Sequence, residues 1–135
     1  MSAGQIALGV ESRFRFDVSD VFVGGVIAYH DDLKRDVLGV DPEAIARHGA
    51  VSEEVALQMA TGAKSRLRAG IGIAITGVAG PAGGTPEKPV GLVWIAVDIS
   101  GARARRFQMI GDRAEIRQRA AQAALEMLRR ALSNG

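Results

Sequence analysis

Residues 76–91 of this chain read TGVAGPAGGTPEKPVG, and this stretch decides how the rest is organised. Two apolar runs flank it, 71–75 and 90–97, and both have the composition of buried strands. The connection from Gly77 to Pro89 contains three prolines, which exclude a helix, and four glycines, which let a ligand approach the main chain closely. Because long loops held between buried strands are usually functional, the stretch predicts the wall of a binding site.

The loop matches neither of the common nucleotide-binding fingerprints. Ala79 stands where the dinucleotide-binding motif has its second glycine, and no Gly-Lys-Ser/Thr sequence follows to make a P-loop. Composition alone leaves an ordinary glycine- and proline-rich connector equally open. The chemistry of the loop therefore has to be inferred together with other parts of the chain.

Length and composition bound the class of protein. A chain of 135 residues predicts one domain, residues 1–135, that buries about two-thirds of its unfolded surface. The absence of cysteine excludes disulfides, thiolate catalysis and Cys-ligated metals. No signal peptide or membrane-spanning run is visible, so a cytoplasmic location without membrane association is expected. A formal net charge of +2 is too small to argue for nucleic acid as a partner.

Capping signals and apolar runs predict the secondary structure. Asp41-Pro42-Glu43, Ser52-Glu53-Glu54 and the Asp112 to Glu115 capping box each predict a helix start, with the second helix running to about Arg68. The predicted strands are 6–10, 21–29, 71–75, 90–97 and 102–110, with a hairpin turn at 98–101. This alternation predicts an α/β protein, a layered α/β/α domain with helices packed on a mixed β-sheet.

Hydroxyl groups are the only nucleophile candidates in a chain without cysteine, and a serine needs a base. His48, at a predicted helix end, is typical of a histidine stabilised by the helix dipole. His30 lacks enough ligands at helical spacing, so no metal site is predicted. The remaining base is a lysine made less basic by burial. Spacing alone favours a solvent-exposed Lys34 and leaves open whether Ser19 can reach it.

Four stretches together resemble the CinA C-terminal domain family, whose members are nicotinamide mononucleotide amidohydrolases. They are 76–91, 24–34 (GGVIAYHDDLK), 48–53 (HGAVSE) and 111–113 (GDR), and the resemblance covers roughly residues 19–132. It implies a serine–lysine amidase that hydrolyses the carboxamide of its nucleotide to the nicotinate nucleotide and ammonia. It also implies that the enzyme needs no metal and no cofactor, and that its partner is a small-molecule nucleotide.

The resemblance also assigns roles to individual residues. Ser19 would be the nucleophile, Lys34 its base, and Tyr29 would orient Lys34 or relay a proton, because these positions keep the family's intervals of ten and fifteen residues. Amides from Gly77 to Gly80 would donate to a substrate oxygen. The full set assigned to substrate binding is Thr76, Gly77, Ala79, Gly80, Gly83, Gly84 and Arg113. Without the resemblance, the simplest interpretation of Tyr29 is an aromatic residue at the end of a strand. Arg113 would then be a solvent-exposed arginine in the first turn of a helix.

The N-terminal part departs from the family pattern. Family members carry a helix before the first strand, then a Glu-Ser-Cys-Thr-Gly-Gly turn and a second helix that helps hold the phosphate. Here residues 10–16 read VESRFRF and about a dozen residues of that second helix are missing, so residues 1–18 are expected to be atypical or truncated. The missing helices would expose apolar sheet surface, which predicts a homo-oligomer, and would reduce activity.

Two other hypotheses stay open. The chain could be a catalytically weakened relative that binds a nucleotide or a partner through the glycine-rich loop. A nucleic-acid-linked competence factor has local support only from Arg103, Arg105 and Arg106, and alternating arginines on a strand usually mark a solvated face. Nucleic acid is therefore not the expected partner.

Overall fold

The computed structural model describes residues 6–9, 22–28 and 30–133 of the chain. Its strands are β1 (Ile6–Gly9), β2 (Phe22–Val26), β3 (Ile71–Gly77), β4 (Leu92–Asp98) and β5 (Ala102–Gln108). Its helices are α1 (Asp31–Asp36), α2 (Pro42–His48), α3 (Glu53–Arg66) and α4 (Arg113–Ser133). None of the helices within these residues is long and apolar enough to cross a membrane.

The five strands form one mixed sheet in the order β2-β1-β3-β4-β5. β1 is parallel to both β2 and β3, whereas β3, β4 and β5 are antiparallel neighbours. Asp98 pairs with Ala102 across the predicted hairpin turn, which is thereby confirmed. The ends of β1, β2, β3 and β5 lie on one side of the sheet together with the start of β4, and we call this side the carboxyl edge.

Helices cover both faces of the sheet, as predicted. α3 packs with Ala74 and Ala96 into one buried cluster. The opposite face carries larger side chains, among them Ile73 and Ile95, and α4 packs on it through Ile116 and other residues. Alternate residues of a strand point to opposite faces, so small residues face α3 and branched ones face α4. The layered α/β/α architecture is therefore confirmed.

Two glycines allow α3 to sit very close to its neighbours. A Cβ atom on Gly62 would lie 1.7 Å from the carbonyl oxygen of Leu38, in the segment between α1 and α2. A Cβ atom on Gly72 of β3 would lie 2.0 Å from the carbonyl oxygen of Ala60. α3 thus packs closely against the sheet on one side and against the residues that follow α1 on the other. The contact between Gly62 and Leu38 restricts the position of α1.

The predicted helix starts are confirmed by their caps. The Asp41 carboxylate accepts a hydrogen bond from the Glu43 amide at 2.9 Å. The Ser52 hydroxyl oxygen accepts one from the Val55 amide at 3.3 Å. Each cap provides a partner for an amide that the helix itself leaves unpaired.

The third cap, at α4, is a reciprocal pair. Asp112 accepts from the Glu115 amide at 2.9 Å, and Glu115 accepts from the Asp112 amide at 3.2 Å. Several boundaries differ from prediction, among them these: β2 ends at Val26 rather than at residue 29, β4 begins at Leu92 rather than at residue 90, and α3 ends at Arg66 rather than about Arg68. Arg68 has a φ of 52°, a left-handed conformation that an α-helix cannot continue through.

A buried carboxylate ties α3 to the β4–β5 hairpin. Asp98 accepts hydrogen bonds from the Thr61 hydroxyl at 2.8 Å, the Lys64 amine at 3.3 Å and the Gly101 amide at 3.2 Å. Desolvation by burial raises the pKa of Asp98, but the hydrogen bonds from these three donors outweigh it and hold the pKa below its ordinary value. The network therefore favours the ionised carboxylate.

The outer strand β5 is strongly basic. Arg103, Arg105 and Arg106 are exposed, and within the described residues none of them forms an ion pair with a carboxylate. The Arg105 guanidinium lies 5.1 Å from the centroid of the Phe107 ring, a cation–π contact. One edge of the sheet thus carries a row of uncompensated positive charge.

Candidate functional site

The carboxyl edge of the sheet gathers most of the positions that the sequence singles out. α1 follows β2 at this edge, the glycine-rich loop 78–91 follows β3, and α4 begins just after β5. In sheets with parallel strands, ligands bind outside the carboxyl ends of the strands. The carboxyl edge is therefore the candidate site.

Lys34 of α1 is buried at this edge, with only 2% of its surface exposed. Its Nζ donates to the carbonyl oxygen of Ala28 at 2.9 Å and lies 3.7 Å from the Asp31 carboxylate. The spacing-based prediction of a solvent-exposed lysine is wrong, because the chain after α1 turns back onto α3 through the buried Leu38 and brings Lys34 inward. The amine is fixed rather than free to swing in solvent.

The other two members of the predicted catalytic set lie outside the described residues. Ser19 belongs to the segment 10–21 that joins β1 to β2, and Tyr29 directly follows Ala28. Their contacts with Lys34 are untested, and the Ser19–Lys34–Tyr29 assignment stays a prediction.

The glycine-rich loop is held at both ends and in its middle. The Val78 amide donates to the carbonyl of Leu92 at 2.9 Å, and the Gly91 amide donates to the carbonyl of Val78 at 2.7 Å. Lys88 reaches across to donate from its Nζ to the carbonyl of His48, at the end of α2. The loop is therefore anchored to β4 and to the end of α2, and its role as the wall of a binding site stays a prediction.

The loop amides differ in what they can offer a ligand. Val78 lies within the predicted run of donors from Gly77 to Gly80, but its amide is already used by Leu92, so this part of the prediction is wrong. The amides of Ala79 and Gly80 donate to no backbone carbonyl among the described residues. These two amides are therefore available to donate to a bound oxygen.

Glycine is required at several loop positions for different reasons. Gly80 precedes a cis peptide bond to Pro81 and has a φ of 79°, a left-handed conformation that glycine adopts easily. Gly83 has a φ of 92° and open space around it. A Cβ atom on Gly84 would lie 2.9 Å from the Val90 amide nitrogen. Gly83 and Gly84 thus shape the loop, and their contact with a substrate stays a prediction.

Thr76 is buried at the end of β3, with 1% of its surface exposed. Its hydroxyl donates to the carbonyl of Ala50 at 2.8 Å and so ties β3 to the connection between α2 and α3. The hydroxyl proton is therefore already engaged. The predicted substrate contact of Thr76 would have to use the remaining lone pairs of its oxygen.

Arg113, the first residue of α4, lies against the loop. Its Nη1 donates to the carbonyl of Gly80 at 3.0 Å. It lines a cleft of about 510 Å³ with Pro81 and Val90, and a smaller cavity of about 40 Å³ with Gly77 and Ala79. The structure thus brings together three of the predicted substrate-binding positions around Arg113, namely Gly77, Ala79 and Gly80.

Arg117 also lines the smaller cavity, and sequence reasoning missed it. The signal was present, because residues four apart on a helix lie on the same face and Arg117 is four residues after Arg113.

Comparisons with a family model and with curated relatives all indicate the same family. A family model described as the CinA C-terminal domain matches residues 3–132, which extends the similarity beyond the N-terminal limit that the motifs indicated. A CinA-like protein of Gemmatimonas aurantiaca is 61% identical over 111 residues, covering 82% of this chain and 26% of that protein. A CinA-like protein of Salinibacter ruber is 52% identical over 116 residues, covering 85% of this chain and 28% of the relative. The chain spans about a quarter of the length of these curated relatives.

Solved structures agree with the sequence relatives. A competence-damaged protein (CinA) superfamily protein of Klebsiella pneumoniae superposes with a TM-score of 0.91 at 30% identity, over 98% of this chain and 89% of that one. The competence/damage inducible protein CihA of Agrobacterium tumefaciens gives a TM-score of 0.86 at 38% identity, over 93% of this chain and 84% of that one. By sequence and by architecture, the chain belongs to the CinA C-terminal domain family.

Proposed function

We propose that this chain is a nicotinamide-nucleotide amidohydrolase that converts nicotinamide mononucleotide to nicotinate mononucleotide and ammonia. The observation that carries the proposal is the buried amine of Lys34, held by the Ala28 carbonyl at the edge of the sheet that the glycine-rich loop closes. Buried lysines are rare unless they are paired or used in chemistry. Membership of the family supports the same substrate class.

The mechanism needs Lys34 in its uncharged form when it accepts a proton. An uncharged amine has two N–H bonds and one lone pair, and donating one N–H to Ala28 orients the lone pair. Lys34 would take the hydroxyl proton of Ser19, and the serine oxygen would attack the carboxamide carbon of the substrate. Tyr29 would orient the amine or relay the proton.

The attack on the carboxamide carbon forms a tetrahedral intermediate, which then breaks down with loss of ammonia. The Lys34 ammonium returns its proton to the departing nitrogen, the C–N bond breaks, and ammonia leaves an ester between Ser19 and the nicotinoyl group. Water, deprotonated by Lys34, attacks that ester, which releases the nicotinate nucleotide and restores the serine. Nucleophile and base are used twice and regenerated.

The negative oxygen of the intermediate needs donors aimed at it. The amides of Ala79 and Gly80 have no backbone partner among the described residues, so they are the proposed oxyanion donors. Removing one such donor typically costs about a hundred- to a thousandfold in kcat. The Val78 amide is excluded from this role by its bond to Leu92.

The test is ammonia release from nicotinamide mononucleotide by wild type, Ser19→Ala and Lys34→Met. Methionine keeps the length and burial of Lys34 without its amine, and Lys64→Met is the matched control because Lys64 is a partly buried lysine in the Asp98 network. We expect activity to fall by at least about a hundredfold in Ser19→Ala and Lys34→Met but not in Lys64→Met. Far-UV circular dichroism checks that each variant is folded.

Two outcomes would overturn the proposal. One is a folded Lys34→Met variant with activity within about tenfold of wild type, since loss of a general base costs more. The other is a wild-type protein that binds the nucleotide but releases no ammonia. That second result would favour a weakened relative that acts as a nucleotide-binding module.

A further inference from the structure

The strand β5 has one open side. It is the last strand in the order of the sheet, so β4 pairs with one of its sides and no described strand pairs with the other. The Met109 amide donates at 2.7 Å to the carbonyl of Gly91, the residue opposite it when the register of β4 and β5 is continued by one pair. Hydrogen-bonded pairs alternate along antiparallel strands, so Arg105 directs its amide and carbonyl at β4. Ala104 and Arg106 therefore direct theirs outward, away from the sheet.

The side chains of β5 divide between the two faces of the sheet. Arg103, Arg105 and Phe107 lie opposite residues of β4 that pack under α4, whereas Ala104 and Arg106 are on the α3 face. All three arginines are exposed, and the Phe107 ring is half-buried. A strand laid along the open side would place its side chains directly beside these.

The positive charge of β5 is not balanced within the described chain. Three of its seven residues are arginines and none is acidic. The carboxylates on either side in sequence, Asp98 and Asp112, accept hydrogen bonds from α3, the hairpin turn and the start of α4. Two exposed arginines of α4 differ, since Arg129 and Arg130 both pair with Glu126. The occupant complementary to β5 is therefore acidic.

We propose that β5 binds an acidic, extended peptide segment that adds to the sheet as a further antiparallel strand. Ala104 and Arg106 supply the main-chain hydrogen bonds, and the side chains of β5 select the sequence. From its amino end, the segment carries an apolar residue opposite Phe107 and then acidic residues opposite Arg106 and Arg105. A residue of any kind follows opposite Ala104, and a third acidic residue lies opposite Arg103. This inference does not rest on the proposed amidase activity.

Two features favour a peptide over other polyanions. The outward amides and carbonyls of Ala104 and Arg106 need both acceptors and donors, and a peptide backbone offers both at the spacing of a strand. The phosphates of a nucleic acid offer acceptors alone. Phe107 also gives a peptide side chain an apolar contact, and the Arg105 guanidinium lies 5.1 Å from the centroid of its ring. An aromatic ring beside a β-branched side chain is a favourable cross-strand pair.

The experiment is an NMR titration of the ¹⁵N-labelled protein with the peptide Thr-Ile-Glu-Glu-Thr-Glu-Thr, blocked at both ends. The readout is the rate at which amide hydrogens exchange with water. At a peptide concentration about ten times Kd, exchange at Ala104 and Arg106 should slow about tenfold, because these amides gain partners in the complex. Exchange at Arg105, whose amide already bonds to β4, should not change.

Modified peptides test the register and the charge. N-methylation of the first glutamate, which lies opposite Arg106 and directs its amide at β5, should abolish binding. N-methylation of the second glutamate, whose amide points away, is the matched control and should be tolerated. A peptide with lysine in place of every glutamate should not bind, because it sets like charges opposite the arginines.

Protein variants test the selecting side chain. Arg105→Gln should lower the affinity for the peptide about 1.5- to fivefold, the value of one cross-strand ion pair. Arg105→Glu should lower it further, and a peptide with lysine in place of its second glutamate should bind that variant more tightly than the original peptide does. Arg68→Gln is the matched control, because Arg68 is an exposed arginine outside β5 that forms no ion pair with any described residue.

Several outcomes would overturn the proposal. One is unchanged exchange at Ala104 and Arg106 in the presence of the peptide, and another is equal binding of the lysine peptide. A third is equal sensitivity to N-methylation at the two glutamates. Slow exchange at these amides that depends on protein concentration without peptide would make a second copy the occupant. A single-stranded oligonucleotide that binds β5 more tightly than the peptide would make the occupant a nucleic acid.

Discussion

Replacement of Gly62 by alanine tests how α3 positions the helix that carries Lys34. In an ordinary helix interior this change stabilises by about 1 kcal/mol, because alanine has the higher helix propensity. Here the added methyl group would lie 1.7 Å from the Leu38 carbonyl oxygen and 2.7 Å from its carbon. Contacts of this kind are not found below 3.0 Å, so backbone atoms have to separate by about 1.3 Å.

Overpacking of this kind costs about 1–3 kcal/mol, and the colliding atoms are backbone and cannot rotate away. Because backbone atoms collide, the cost belongs to the upper part of that range, about 2–3 kcal/mol, and subtracting the propensity gain of about 1 kcal/mol leaves an expected net loss of about 1–2 kcal/mol in the free energy of unfolding. For a chain of this length, such a loss lowers Tm by about 3–7 °C. Thermal unfolding followed by circular dichroism measures it.

The same substitution should also affect activity. Leu38 follows α1 directly, so a backbone shift at Leu38 moves Lys34, and a misplacement of about 1 Å can cost about a hundredfold in rate. The matched control is Ser65→Ala, an exposed position of the same helix, where Tm should be unchanged or slightly higher. A Gly62→Ala variant as stable and as active as Ser65→Ala would refute the reasoning.

Three further substitutions test other contacts. Asp98→Asn should lower Tm at pH 7, and because folding lowers the pKa of this carboxyl, the difference from wild type should shrink as pH falls below the ordinary value of 3.8. Lys88→Met removes the bond to the His48 carbonyl at an exposed position, so Tm should hardly change while kcat/KM for the nucleotide falls about tenfold. Asp112→Ala removes the cap of α4 and should cost about 1 kcal/mol, or about 3–4 °C in Tm.

Each of these has an outcome that contradicts it. For Asp98→Asn it is a Tm difference that stays constant from neutral to strongly acidic pH. For Lys88→Met it is an unchanged kcat/KM, with Glu87→Gln as the neighbouring control. For Asp112→Ala it is a loss no greater than that in Asp112→Asn, which keeps the accepting oxygen of the cap.

Features set by neighbouring residues were predictable from the sequence. The caps at Asp41, Ser52 and Asp112 are confirmed because a short side chain and an amide two or three residues later decide them. The mixed sheet followed from the order of apolar runs and helical patterns. The motif at 76–91 predicted a long loop after β3, and that loop lies at the carboxyl edge.

Features set by distant residues were not predictable. The burial of Lys34 depends on the approach of residue 38 to α3, and nothing within the sequence of α1 signals it. The bond from Thr76 to Ala50 and that from Lys88 to His48 join residues 26 and 40 positions apart. The engagement of the Val78 amide likewise follows from strand pairing that the loop sequence does not encode.

The row of arginines on β5 has a consequence for how copies of this protein meet. An outer strand offers unpaired amides and carbonyls on which another chain can add. If the β5 strands of two copies paired side by side, their arginine guanidinium groups would lie close together. Like charges directly opposite one another in a sheet repel. That repulsion weakens as salt is added. The arginines of β5 thus disfavour edge-to-edge pairing of two copies and the fibre-like growth that would follow from it. This protection is strongest at low ionic strength.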